Sequence, residues 1–222
     1  MKQIHVRLKF FEEMLGTANS DPEIHERFIA SKAPDAKSRE EEVASLGVDE
    51  VVERGKTVFH KTEDGRPYLF DYMVRGFFKT AGKVCYQLGG KHKLTAYKSK
   101  IDTLVFIKER RILLQMPVGT TLGNLQRPLR AQTAQGERVS LANSETAPVG
   151  TEIEFTIITL LDELEEHILE WLDYGKYSGI GQWRNSGCGR FLYEELDDKG
   201  QCIGGNMNEW DSFVQGNLDV SA

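Results

Sequence analysis

Four glycines surround a short polar stretch in residues 179–191, which read GIGQWRNSGCGRF. Glycine at this density permits positive φ angles and lets another backbone or a phosphate group approach closely. Arg184 and Arg190 supply positive charge where that approach would occur, and Trp183 supplies an aromatic face for stacking. Two interpretations stay open, a phosphate-binding loop and an irregular turn around a buried tryptophan, because short glycine patterns are weak evidence alone. The four glycines are Gly179, Gly181, Gly187 and Gly189.

Residues 3–10 alternate between apolar and polar side chains, which predicts a half-buried strand. Its apolar side chains would form an inner face. Its outer face is predicted to be basic because it carries His5, Arg7 and Lys9. Such a face either contacts phosphates or is simply solvated.

Residues 72–85 repeat apolar side chains at helical spacing, which predicts a helix with a basic stripe that includes Arg75 and Lys79. Asp71 is predicted to be its N-cap. The start of such a helix favours anions because its first N–H groups have no partner within the helix.

Residues 117–150 are predicted to form a long loop or finger, and loops of this length are usually functional or flexible. Arg127 and Arg130, with glutamines among them, are candidates for phosphate contacts there. Gly89 to Lys100 is predicted to be a basic loop, and residues 104–107 and 112–114 are predicted to form a hairpin.

His92 is the histidine whose neighbours, Lys91, Lys93 and Tyr97, come nearest to an acid–base site. General acid–base catalysis needs a group of suitable pKa within hydrogen-bond reach of its substrate, and spacing alone does not establish this. The sequence therefore favours a protein without catalytic activity.

The composition restricts the class of protein. The chain has 222 residues and a formal net charge of −6, so a nucleic-acid site would be a local basic patch on an acidic body. Three distant cysteines without a CxxC pair favour a reducing cytoplasm and argue against a zinc site. We expect no cofactor, no metal and no membrane segment.

The organisation is predicted to be a single domain over residues 1–222, with a charged insertion at 17–56 and a loosely packed polar tail at 198–222. Two short helices are predicted within the insertion, from 20 to 31 and from 36 to 46. The core elements follow the order strand, helix, two strands, helix, strand. That order predicts an α+β, ferredoxin-like (RRM-like) βαββαβ core.

Three separated segments resemble the RAMP proteins of CRISPR–Cas systems. Residues 179–191 resemble the glycine-rich loop of that family, and Asp64–Leu69 with the helix from Asp71 resembles its turn and basic helix. Residues 148–153 (PVGTEI) are similar to its Pro-x-Gly-Thr entry into a strand. The three segments occur in the family's order and cover the core.

This resemblance implies a protein that binds single-stranded or guide RNA through phosphate contacts, with CRISPR effector subunits or further copies of itself as partners. The residues it assigns to RNA are the four glycines of the loop together with Arg75, Lys79, Arg184 and Arg190. Phe70–Met73 departs from the small-residue turn of the family, and the acidic total charge departs from its backbone subunits. These departures indicate a divergent or solitary relative, encoded by a phage or prophage. One alternative is an anti-CRISPR-like protein that blocks effector assembly or mimics nucleic acid through its acidic segment 39–50. Because some members of the family cut RNA with a histidine, the resemblance also implies a second alternative, a metal-independent endoribonuclease.

Overall fold

The computed structural model describes residues 1–19, 56–89, 92–133 and 136–218. The strands of its central sheet are β1 (Lys2–Phe10), β7 (Val105–Ile107), β11 (Glu152–Thr159), β12 (Phe191–Leu196) and β13 (Cys202–Gly205). They lie in the order β13–β12–β1–β11–β7, and every neighbouring pair is antiparallel. The sheet therefore brings the two ends of the described chain together around β1.

Helices cover one face of this sheet because the strands and helices share an apolar core. The helices on this face are α1 (Asp71–Leu88), α2 (Tyr97–Leu104) and α3 (Glu165–Asp173). A fourth helix, α4 (Trp210–Leu218), begins on the opposite face, where the Lys9 ammonium lies 4.7 Å from the centroid of the Trp210 ring. Along β1, Ile4, Val6 and Leu8 are buried, as the alternation predicts. In α1, Phe77 packs 5.1 Å from the ring of Phe191 in β12, and its neighbour Phe78 packs against Trp171 of α3.

Four strands and two helices follow one another along the chain as β1, α1, β7, β11, α3 and β12, with α2 between α1 and β7. Within the sheet, β1 lies between β12 and β11, and β7 lies at the edge beside β11. The predicted α+β class is confirmed.

Two smaller sheets adjoin the central one. One contains β2 (Met14–Leu15), β3 (Ala18–Asn19), β4 (Thr57–Val58), β9 (Gly123–Thr133) and β10 (Gly136–Ala147). The other contains β5 (His60–Lys61), β6 (Pro67–Phe70) and β8 (Arg111–Leu113). The segment predicted as a long loop is thus mostly the hairpin β9–β10, paired from Gly123 to Thr146.

Three local predictions are wrong. The loop predicted between Gly89 and Lys100 ends in a helix, because Tyr97 and Ile101 pack against α1. The hairpin predicted over 104–114 does not form, since β7 pairs with β11 while β8 pairs with β6. The tail predicted to be loosely packed supplies β13, which pairs with β12, and then α4.

The two helices predicted within residues 17–56 fall on residues 20–55, outside the described part of the chain. The acidic segment 39–50 lies there too. Within the described ranges, no helix has the length and apolar character required to cross a bilayer.

Replacing Gly76 by alanine is expected to stabilise the protein. Gly76 lies inside α1, and a Cβ there would meet nothing within 4 Å. Glycine costs a helix interior about 1 kcal/mol relative to alanine, so thermal denaturation should shift upward by about 2–4 °C. Gly82→Ala is the matched control on the same helix, because its Cβ would lie 3.2 Å from the Tyr97 ring. Equal upward shifts in both variants would contradict this account of α1.

Candidate nucleic-acid interface

The glycine-rich segment forms a closed loop whose two ends contact each other through the backbone. The Ile180 N–H donates to the Gly189 carbonyl at 3.0 Å, and the Gly189 N–H donates to the Glu13 carbonyl at 2.9 Å. A Cβ at Gly179 would overlap the backbone at Gly189, and one at Gly189 would overlap the Ile180 carbonyl. Close packing of the chain on itself therefore accounts for these two glycines without a ligand. Positive φ angles occur in this loop at Gly181, Trp183, Gly187 and Gly189.

Arg190 holds this loop against the end of β1. Its Nη2 donates to the Glu12 carboxylate at 2.6 Å, and its Nε donates to the Gly187 carbonyl at 3.2 Å. Its guanidinium also lies 5.1 Å from the centroid of the Phe11 ring. These contacts engage Arg190 within the protein, which makes it a residue that positions the loop.

Arg184 and Arg127 give this region its exposed positive charge, and we name the pair the loop patch. Arg184 lies beside the half-buried Trp183, and its Nη1 is 3.5 Å from the Thr80 hydroxyl of α1. Burial raises the pKa of the Cys188 thiol, and the charge of Arg127 opposes this rise. Arg127 on β9 is therefore close to the loop. Arg130 also belongs to β9, but its side chain lies outside the described part.

The outer face of the central sheet carries mixed charge and is not basic, contrary to the sequence prediction. Arg7 lies between two carboxylates, with N–O distances of 3.2 Å to Glu154 and 3.1 Å to Glu194. Lys9 pairs with Glu152 at 3.3 Å, and its ammonium lies 4.7 Å from the centroid of Trp210 in α4. The register of β1 with β11 and β12 places these glutamates beside the cations.

Arg75 and Lys79 lie one turn apart on α1, and we name them the α1 basic face. Both contact Asp102 of α2, at 3.2 Å from the Arg75 Nη2 and 2.6 Å from the Lys79 Nζ. The hydrogen bond from Lys79, with the charge of Arg75, holds the pKa of Asp102 below its usual value. One carboxylate therefore faces two cations, which leaves this face net positive. The predicted N-cap position of Asp71 is one residue off: Phe70 is the N-cap, and Asp71 pairs with Arg110.

A group of aromatic and arginine side chains, which the sequence predictions did not include, lies next to the α1 basic face. Their rings contact one another with centroids 4.8–5.7 Å apart, and the guanidiniums lie over them at 5.2–5.8 Å. We name this group the arginine–aromatic cluster. Its members are His60, Tyr68, Phe70, Tyr72, Arg110 and Arg111.

His92 lies in a different part of the surface, in a pocket formed with α3. Its Nδ1 pairs with the carboxylate of Glu170, whose other oxygen lies 3.9 Å from Nδ1 of His167. Glu166 completes the lining of the pocket. Burial and the charge of Lys100 lower the pKa of His167 below its usual value. No cluster suited to binding a metal ion occurs among the residues that are described.

The predicted basic residues thus occupy three surfaces. Arg7 and Lys9 lie on the outer face of the central sheet, while α1 lies on the opposite face. Arg75 and Lys79 contact α2 from α1, whereas Arg184 reaches Thr80 of that helix from the glycine-rich loop. The α1 basic face and Arg184 of the loop patch therefore meet at α1, while Arg127 lies near Cys188 of the glycine-rich loop.

Comparison with known structures finds a similar fold in one chain of the cryo-EM structure of the Type III-B Cmr-beta complex bound to cognate target RNA. The TM-score is 0.50 and the sequence identity is 9%. The match covers 88% of the present chain and 60% of the Cmr-beta chain. The present chain therefore spans less than two thirds of the length of the chain that it matches. No family model matches the sequence. A search of curated protein sequences also gives no match.

Proposed function

We propose that this protein binds single-stranded RNA through its phosphates, in the manner of RAMP-like subunits of CRISPR effectors. The observation that carries the proposal is the set of four basic side chains on α1 and beside the glycine-rich loop, on a fold similar to a chain of an RNA-bound effector. The set consists of the α1 basic face and the loop patch. Arg7, Lys9 and Arg190 are left out because glutamates already pair with them.

A ferredoxin-like core is part of the proposal. The four strands β1, β7, β11 and β12 alternate with α1 and α3 in the βαββαβ order and stand in the sheet order expected for that fold. In this arrangement both helices cover one face of the sheet. We place the RNA over α1 on that helical side, because the cations of the outer sheet face are neutralised by glutamates.

Binding of single-stranded RNA is expected to weaken steeply with salt. Each phosphate contact on a single strand contributes about −0.7 to the slope of log K against log salt, so four contacts give about −3. Affinity should then fall about 50-fold between 50 and 200 mM KCl. Fluorescence anisotropy of a labelled 20-nucleotide RNA measures this directly. Absence of binding at 50 mM KCl, or a slope of log K against log salt near zero, would contradict the proposal.

A second candidate function is RNA cleavage without a metal, and the His92 pocket is the observation that favours it. The Glu170 carboxylate orients His92, and the lowered pKa of His167 keeps that ring neutral at pH 7. In this reaction His167 would accept the 2′-hydroxyl proton while the 2′-oxygen attacks the adjacent phosphorus. His92 would give a proton to the departing 5′-oxygen, which yields a 2′,3′-cyclic phosphate and a 5′-hydroxyl.

If this second candidate function holds, the wild-type protein will cleave end-labelled RNA in EDTA, and both His92→Ala and His167→Ala will lose this cleavage. Each variant removes one of the two proton-transfer groups, and the cyclic phosphate end is read by its mobility on a gel. His5→Ala serves as the control, because His5 lies on the outer sheet face near Thr156. Cleavage that survives both substitutions would come from a contaminant or from another site.

A further inference from the structure

The arginine–aromatic cluster joins the small sheet β5–β6–β8 to the start of α1. Its inner side is fixed, since Tyr68 is 6% exposed and packs against both His60 and Phe70. Its outer side is open, since Tyr72 is 51% exposed. Arg110 beside it has 67% of its side chain exposed. A rigid base with an accessible aromatic edge is the form expected of a binding platform.

The open side offers flat surfaces in a common orientation. The rings of Phe70 and Tyr72 stack with centroids 5.3 Å apart and planes 20° apart. The Arg110 guanidinium lies 5.2 Å from Phe70 and 5.8 Å from Tyr72, and its pairing with Asp71 holds it there. Nucleobases stack on aromatic rings and on guanidinium planes alike.

The charge of the cluster also suits a nucleic acid. Asp71 forms an ion pair with Arg110, which neutralises its charge. The Arg111 guanidinium lies 5.3 Å from the centroid of the Tyr68 ring, and Arg111 is exposed. Burial lowers the pKa of His60, so its ring is neutral at pH 7 and adds a flat surface without a charge. The cluster therefore combines apolar rings with net positive charge.

The position of Tyr72 links the cluster to the α1 basic face. Tyr72, Arg75 and Lys79 are spaced three and four residues apart, so they follow one another along one side of α1. A strand whose phosphates contact Arg75 and Lys79 would have its next bases beside Tyr72. We propose that the arginine–aromatic cluster is a stacking platform for bases of the single-stranded RNA whose phosphates bind along α1. This proposal rests on the proposed function and adds a base-contacting site to it.

The test uses a single-stranded RNA that carries 2-aminopurine, whose fluorescence falls when the base stacks on an aromatic ring. Binding to the full-length protein is expected to quench the probe. Tyr72→Ala and Tyr72→Leu are expected to abolish the quenching and to lower affinity about tenfold, the effect of losing one base–aromatic stack. Tyr72→Phe should restore both. Tyr177→Ala is the matched control, because Tyr177 is 67% exposed and lies after α3.

The outcomes separate this inference from the proposed function. If the wild-type protein binds the RNA but quenches no probe at any position along it, the platform assignment is wrong and the cluster is structural or contacts a protein. If Tyr72→Leu retains wild-type quenching and affinity, the assignment is also wrong. If the wild-type protein fails to bind RNA at 50 mM KCl, both proposals fail together.

Discussion

Reversing two charges on α1, in the variant Arg75→Glu/Lys79→Glu, is expected to lower the affinity for single-stranded RNA about 100-fold at about 100 mM salt. A hydrogen bond to a charged group contributes about 1.5 kcal/mol or more, which corresponds to about tenfold in affinity for each phosphate contact. The slope of log K against log salt should also fall in magnitude by about 1.4, since two contacts are lost. Fluorescence anisotropy over a salt series measures both quantities.

The double variant could misfold, because Arg75 is only 23% exposed and also donates a hydrogen bond to the backbone carbonyl of Asp102. The single variant Lys79→Glu tests the same site without changing Arg75. Its matched control is Lys199→Glu, which makes the same change in net charge at an exposed turn after β12. Circular dichroism would show that each variant keeps the wild-type helix content. Equal losses of affinity in Lys79→Glu and Lys199→Glu would mean that only the total charge matters, and the α1 site would be rejected.

The local patterns of the sequence were sufficient to predict β1 and α1, two of the elements that form the core. The alternation in β1 predicts its inner face correctly, because Ile4, Val6 and Leu8 must avoid water whichever strands pair with it. The periodicity of α1 has the same origin, since Phe77 and Phe78 pack between sheet and helix. Both patterns arise because apolar side chains are buried on one face. The spacing of apolar residues within a single segment is sufficient to show which face that is.

The charge of the outer sheet face could not be predicted in this way. Arg7 and Lys9 are basic in the sequence, but their surroundings depend on strands that lie more than 140 residues further along the chain. The register of β1 with β11 brings Glu154 opposite Arg7 and Glu152 opposite Lys9. The sequence of β1 alone does not determine that register. The glutamates that neutralise Arg7 and Lys9 therefore could not be predicted from it.

The arginine–aromatic cluster was missed for a related reason. His60, Phe70 and Arg110 come from three separate segments, and pairing of β6 with both β5 and β8 brings those segments together. One signal was available in the sequence, since residues 67–72 read PYLFDY and place three aromatic residues at alternate positions. The hairpin β9–β10 was missed because its strands lack the apolar alternation that marks a buried face.

Replacing Gly189 by alanine is expected to lower the free energy of unfolding by about 3 kcal/mol, the largest effect on stability predicted for this chain. Gly189 has φ +70°, and the left-handed conformation costs a residue with a Cβ about 1–2 kcal/mol. The new Cβ would also overlap the Ile180 carbonyl, and overpacking of this kind costs about 1–3 kcal/mol more. Thermal denaturation should therefore shift downward by about 10 °C.

Gly187→Ala is the control within the same loop, because it shares the positive φ but not the overlap. Gly187 has φ +86°, and its Cβ would lie 3.4 Å from Nε of the Arg190 side chain. The cost should be limited to about 1–2 kcal/mol, and RNA affinity should stay at the wild-type value if the loop glycines serve packing. A tenfold loss of RNA affinity in a folded Gly187→Ala protein would instead mean that a phosphate lies against this backbone. Comparing the two variants therefore decides whether the glycine-rich loop closes the fold or contacts the RNA.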